Sequence, residues 1–198
     1  MTDHGLRAAG IVDQVLRALD AAGMEYDVYD GVGANPSTGN VDEGAAKARA
    51  FGPAVVAALG AGSVLDAAKG ISLLAGNADA AAADADALWE ALDGLPVIAI
   101  PTTSGTGAET NGFGVIEDTA ACRKVYIGHP SVKPRIALLH PELTLGLPAR
   151  ITAATGIDAL VHGIESLASR GANPVSVAYA AQAVAVVGRR LPAAHRDG

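Results

Sequence analysis

The residues best placed to do chemistry lie late in the chain, in Thr155-Gly156-Ile157-Asp158-Ala159-Leu160-Val161-His162-Gly163-Ile164-Glu165. Asp158 and His162 are four positions apart, so on a helix they sit one turn apart on one face. A carboxylate and an imidazole so placed can share one divalent metal ion. Asp158, His162, Glu165 and Ser169 make a polar stripe, and Ile157, Leu160, Val161, Ile164 and Leu167 an apolar face beside it. The plainer alternative is an Asp–His pair on a solvated helix face, because a metal site needs three or four ligands and this helix offers two.

Two further stretches suit a phosphate-bearing ligand. In Ala58-Leu59-Gly60-Ala61-Gly62-Ser63-Val64-Leu65-Asp66-Ala67-Ala68-Lys69 an apolar run ends, a small-residue loop turns and a helix begins. Backbone N–H groups at such a helix start attract anions, and small residues let a pyrophosphate come close. Ser63 and Asp66 are also spaced as a capping pair, so a plain capped turn is the competing reading. The Gly-x-Gly-x-x-Gly fingerprint is not met, since Leu65 stands at its last position. Pro101-Thr102-Thr103-Ser104-Gly105-Thr106-Gly107-Ala108-Glu109 follows another apolar run and is rich in hydroxyls, as a sugar- or phosphate-holding loop would be. Its competing reading is a polar loop that caps the next element.

The elements that must position these residues follow from periodicity. The spacing predicts a helix over 5–22, a strand over 25–32, a turn at 33–37 and a helix over 41–50. A buried strand over 53–59, a helix over 64–75 and a second buried strand over 96–100 come next. Residues 78–93 read as a loop with a short helix near Trp89. Segments 113–116 and 124–127 read as a two-stranded excursion around Asp118, and 136–139 as a last short strand. After Leu147-Pro148 the pattern is wholly helical. The fold class expected is therefore α/β: a mainly parallel sheet in a nucleotide-binding domain over 1–147, then the start of an all-helical domain over 148–198.

Bulk composition narrows the function. Half of the 198 residues are hydrophobic and 18% are charged, enough to bury a core. Aromatics are only 4%, so helix packing must rely on small side chains. The net charge of −7, with no basic patch, argues against nucleic acid as a partner. The single cysteine, Cys122, allows no intrachain disulfide and fits a cytoplasmic protein. No apolar run reaches the length of a membrane span, and the N-terminus lacks a signal-peptide pattern. A serine hydrolase is excluded by the absence of Gly-x-Ser-x-Gly.

The run from Thr155 to Glu165 closely resembles the metal-binding helix of the iron-containing (group III) alcohol dehydrogenases. The Gly60–Lys69 stretch resembles that family's Gly-Gly-Gly-Ser-x-x-Asp-x-x-Lys signature, with Ala61 for the middle glycine. If that position needs a positive φ, Ala61 would be strained by about 1 kcal/mol. The Pro101–Glu109 loop resembles the family's Pro-Thr-Thr-x-Gly-Thr-x-x-Glu run. The resemblance implies an NAD(P)- and metal-dependent alcohol dehydrogenase. In that chemistry the metal polarises the alcohol oxygen and hydride passes to nicotinamide. It makes Asp158 and His162 two of four ligands to Fe2+ or Zn2+, the other two being histidines further down the chain. Gly60, Gly62, Ser63 and Asp66 would bind the cofactor pyrophosphate, and Thr102, Thr103 and Thr106 the nicotinamide nucleotide.

Smaller matches extend the resemblance. Thr2-Asp3 falls where the family carries a Thr-Asp pair after its first strand, and an Asp3 carboxylate there would favour NAD over NADP. Asn35-Pro36-Ser37 matches an Asn-Pro-Thr turn near the adenosine, and Lys124 stands where the family often has a lysine near the cofactor. His140 departs from the pattern, which usually has Asp. Relative to the family, the leading strand before Asp3 and most of the helical domain after Leu191 are expected to be missing. The expected partner is a small alcohol or aldehyde, with homo-oligomerisation open through the apolar stripe. The alternatives are a nucleotide-binding module without catalysis, or an NAD-using lyase or synthase of the same superfold.

Overall fold

The computed structural model describes residues 1–197, and the α/β class expected from the sequence is the one found. The chain divides into two compact units. An α/β unit comprises residues 1–101 and 108–139, and a helical unit comprises residues 102–107 and those from His140 onward.

The α/β unit is built on three parallel strands in the order β1 (Val56–Gly60), β2 (Val97–Pro101), β5 (Ile136–Ala137). β1 and β2 are runs of small and branched apolar residues, suited to a sheet covered on both faces. Their register pairs Val56 with Val97 and Gly60 with Pro101, so both strands end level. The connection between these parallel strands runs through α4 (Gly62–Gly76). Its faces are buried nearly all round: Val64, Leu65, Ile71, Leu73 and Leu74 are each at most 1% exposed. Burying each such side chain contributes about 1.5–3 kcal/mol.

One side of α4 receives α3 (Thr38–Phe51), another the antiparallel hairpin β3 (Phe113–Asp118) and β4 (Arg123–Gly128). Close approach depends on absent side chains. A Cβ on Gly44 would lie 2.4 Å from Ile71 Cδ1, and one on Gly114 would lie 2.5 Å from the Asp66 carbonyl oxygen. α3 starts with a reciprocal cap: Ser37 Oγ accepts from Asn40 N, and the Asn40 side chain accepts from Ser37 N.

Four local readings need correction. The helix expected over 5–22 is two helices, α1 (His4–Ala8) and α2 (Ile11–Ala21), because Gly10 takes φ 73° and breaks the first. Residues 25–32 do not form a strand. They meet residues 2–3 through Thr2 N donating to Tyr29 O and a single bridge between Asp3 and Gly31, too little pairing for a ladder. Ser63 does not cap α4: the N-cap is Ala61, which has no side chain to offer, and Ser63 lies inside the first turn. Ala61 has φ −77°, so it carries none of the strain that a positive φ would bring.

The helical unit pairs α5 (Ala149–Ala168) with α6 (Pro174–Asp197). Here the apolar face of α5 is largely uncovered. Ile157, Val161, Ile164 and Leu167 are 40–51% exposed, and α5 is buried instead at Gly156 and Gly163. Cβ atoms there would meet Leu191 at 2.3 Å and Val184 at 2.8 Å, so the two helices approach along a glycine face. No helix among the described residues is long and apolar enough to cross a membrane.

Candidate functional site

In the α/β unit Gly60, Gly62 and Ser63 stand at the C-terminal end of β1, where parallel sheets present their ligands. Gly60 ends β1, and a Cβ on it would lie 2.5 Å from the Val64 side chain, so the turn into α4 tolerates only glycine without movement. Gly62 and Ser63 form the first turn of α4. With no side-chain cap on this helix start, its N–H dipoles are available to an anion.

Residues 1–3 run beside β1: the Met1 amine donates to Ala57 O, and Leu59 N donates to Met1 O. Burial of that amine, with Lys47 nearby as a lesser cause, pushes it down to about 6. Thr2 is 2% exposed, and its hydroxyl is buried without a hydrogen-bond partner among the described residues. A buried hydroxyl in that condition favours a polar group beside it. Asp3 caps α1 through Oδ1, which accepts from Leu6 N at 2.9 Å. Its other carboxylate oxygen remains for a second donor.

Asp66 faces inward from the second turn of α4. Its Oδ2 accepts from Val115 N at 3.1 Å, and its Oδ1 lies 3.5 Å from Lys69 Nζ. Burial raises the carboxyl, with the Val115 bond and Lys69 opposing. Lys69 is wholly buried and donates to Asn111 Oδ1 and Phe113 O, both at 2.7 Å. Burial lowers its ammonium, and the Asp66 charge opposes that most strongly. Sequence reasoning singled out Asp66, matched Lys69 to the signature without giving it a task, and passed over Asn111. The available signal was a lysine three positions from an aspartate inside an otherwise apolar helix.

Asn35 is exposed in the left-handed region at φ 54°, two residues before the α3 cap. Lys124 is exposed on β4, directly opposite Glu117.

In the helical unit the structure brings together the Thr102–Gly107 loop and the Asp158–His162 pair. Thr102 is buried and Thr106 exposed, with Thr103 between. A Cβ on Gly105 would lie 2.6 Å from Thr155 O, so the loop lies directly on the α5 backbone. Its carbonyl also meets His162: Nδ1 is 3.4 Å from Gly105 O. His162 Nε2 is 3.8 Å from Asp158 Oδ1. With the proton on Nδ1 and directed at Gly105 O, Nε2 presents its lone pair toward the carboxylate. That is the arrangement a metal-ligating histidine needs, and an N/O donor set suits iron or zinc. Among the described residues no third His, Cys, Asp or Glu joins this pair.

Comparison with known proteins shows the family. Residues 1–141 match the family of iron-containing alcohol dehydrogenases, and residues 152–198 match the C-terminal part of that family. The probable alcohol dehydrogenase EutG of Escherichia coli is 39% identical over 194 residues, which is 98% of this chain and 49% of that protein. An iron-containing alcohol dehydrogenase from Thermotoga maritima superposes with a TM-score of 0.92 at 31% identity, over 100% of this chain and 54% of that one. The sulfoacetaldehyde reductase of Bifidobacterium kashiwanohense, solved with NAD+, gives a TM-score of 0.92 at 32% identity, over 99% of this chain and 52% of that one. The chain thus spans about half the length of the relatives it matches. With the sheet, the glycine turn and the Asp–His helix all in place, this chain belongs to the iron-containing alcohol dehydrogenase family.

Proposed function

We propose that the chain carries the dinucleotide-binding part and the first metal-binding residues of an NAD-dependent, metal-dependent alcohol dehydrogenase acting on a small alcohol or aldehyde. One observation carries the reading: the Gly105 carbonyl of the Thr loop meets the ring of His162, whose other nitrogen faces Asp158. The loop assigned to the nicotinamide nucleotide and the pair assigned to the metal are therefore adjoining parts of one unit. A relative solved with NAD+ supports the choice of dinucleotide. The family description supports iron, with zinc also suited to the donors.

When bound, the metal supplies a Lewis acid for the substrate oxygen and NAD supplies the hydride acceptor. The chain's residues have separate tasks. Gly60 and Gly62 let a pyrophosphate reach the N–H groups of Gly62 and Ser63. The unpaired Thr2 hydroxyl and the second oxygen of Asp3 are suited to ribose hydroxyls. Thr102, Thr103 and Thr106 orient the nicotinamide half. Asp158 and His162 hold the ion, and Gly105 fixes the histidine ring. The helical part from Pro148 is read as the start of the metal-binding domain, and residues 1–147 as the dinucleotide-binding domain.

Fluorescence titration of the 198-residue chain with NADH is the test. Saturable binding that Gly62→Val weakens about tenfold or more is expected, because a side chain at the helix start obstructs the phosphate. No binding of NADH or NAD+ at millimolar concentration would sink the reading. The count of two metal donors among the described residues favours one second reading, a nucleotide-binding module without turnover.

A further inference from the structure

Asn111 is the only asparagine in the chain that is followed by glycine. The pairing matters because a main-chain nitrogen can attack the carboxamide carbon of the residue before it and close a five-membered ring. Glycine leaves that nitrogen unshielded, since it has no Cβ. Asn35 and Asn173 precede prolines, which have no N–H to use. Asn40 and Asn77 precede Val41 and Ala78, whose side chains crowd the nitrogen. Both also hold their amide nitrogen in place: Asn40 Nδ2 donates to Gly31 O, and Asn77 Nδ2 donates to Leu73 O and Leu92 O.

At Asn111 two donors converge on the carboxamide oxygen. Oδ1 accepts from Lys69 Nζ at 2.7 Å and from Phe113 N at 3.2 Å. Lys69 is wholly buried, so its charge acts on that oxygen with little screening by water. Ring closure turns the carboxamide oxygen into an oxyanion. Two fixed donors already aimed at it lower the barrier, as an oxyanion hole does. Asn111 is itself partly exposed, so water reaches it. Lys69 and residues 111–113 all belong to the α/β unit.

We propose that Asn111 is a site of self-modification, where the Asn111–Gly112 pair deamidates with the Lys69 ammonium and the Phe113 N–H stabilising the oxyanion. The proposal goes beyond the cofactor reading and does not rest on it. Gly112 N bonds to Asn111 Cγ and loses its proton to solvent. The carboxamide C–N bond then breaks, and its nitrogen takes a proton from water and leaves as ammonia. Water opens the ring at one of its two carbonyls. Opening at Cγ leaves an ordinary aspartate, and opening at the main-chain carbonyl leaves an isoaspartyl link, one carbon longer in the main chain. One water is consumed and one ammonia released, with nothing oxidised or reduced. The aspartate sets a second carboxylate on Lys69, which already has Asp66 at 3.5 Å. The isoaspartyl link lengthens the chain just before β3. There Gly112 O accepts from His129 N, and a Cβ on Gly128 would lie 2.6 Å from Gly112 O. That junction has no slack, so the longer link must displace Gly112 from β4.

The test is to age the 198-residue chain in mildly alkaline buffer, with and without urea, and map its peptides by mass spectrometry. Conversion is read as a gain of about 1 Da in the peptide that holds Asn111. In native buffer Asn111 should convert about tenfold or more faster than Asn40 and Asn77. Urea keeps the Asn–Gly pair and removes both donors, so it isolates what the fold contributes. The native rate should match the urea rate within about threefold or exceed it. Lys69→Met, where circular dichroism shows it folded, should slow native conversion about tenfold or more. If that variant does not fold, the urea comparison decides alone. A native rate more than about threefold below the urea rate overturns the proposal, because the packing then shields the site. So do equal rates at the three asparagines, or a folded Lys69→Met chain that converts like wild type.

Discussion

Asp3 shows how one side chain can hold two tasks that a single substitution confuses. Its Oδ1 caps α1, and loss of such a cap costs about 1 kcal/mol whatever the cofactor does. Asp3→Asn keeps a capping oxygen and removes the charge, so stability should change by only a few tenths of a kcal/mol. If the carboxylate selects NAD by repelling a 2′-phosphate, the same variant should bind NADPH at least about tenfold better relative to NADH. Paired titrations with both nucleotides measure this, and an unchanged ratio would show that Asp3 is a cap and nothing more. The sequence could place Asp3 by resemblance, but its capping role requires knowing that a helix starts at His4. Lys69 was matched to the signature, but its burial was hidden for a related reason. A lysine in a helical pattern reads as solvated, and only the packing of α3 and the hairpin around α4 makes it interior.

Elements with strong patterns were legible and those that depend on partners were not. β1, β2 and α4 follow from continuous apolar runs that end in glycine-rich turns. Residues 25–32 alternate well, yet a strand needs a ladder, and residues 2–3 supply little of one. On α5 the apolar stripe was legible and is largely uncovered, whereas the contact with α6 along Gly156 and Gly163 was not legible, because there close approach outweighs side-chain size. The same logic of close approach governs the Thr loop. Gly105→Ala would set a methyl 2.6 Å from the Thr155 carbonyl oxygen, a backbone atom that cannot turn aside. The loop must lift, and the Gly105 carbonyl then loses His162 Nδ1. Metal affinity should fall about 10–100-fold, as when other partners of ligating histidines are removed. Competition with a chromophoric chelator reads this directly; wild-type affinity in Gly105→Ala would mean that the histidine ring does not depend on the loop.

Taken whole, the described residues offer one carboxylate–imidazole pair, Asp158 and His162, with no third His, Cys, Asp or Glu beside it. An ion held by two side chains keeps most of its water, so its affinity lies far below that of a closed four-ligand site. After dialysis the 198-residue chain should retain well under one iron or zinc per molecule and form no NADH from simple primary alcohols. Metal analysis and absorbance at 340 nm check both statements. One tightly held ion per chain with turnover would refute them and point to ligands from a second chain. The fold class and the family were both readable from three short motifs in order, because a phosphate loop, a threonine loop and an Asp–His helix each need fixed residue types. The division of the molecule was not readable, because it does not follow the chain: residues 102–107 belong with the helices although the strands on either side of them do not. This interleaving has an evolutionary consequence. No single recombination point separates the two units, and a crossover near residue 140 would join one lineage's loop to another's helix. Position 105 and the backbone at position 155 would then have to suit each other at once, so this pair should be inherited together.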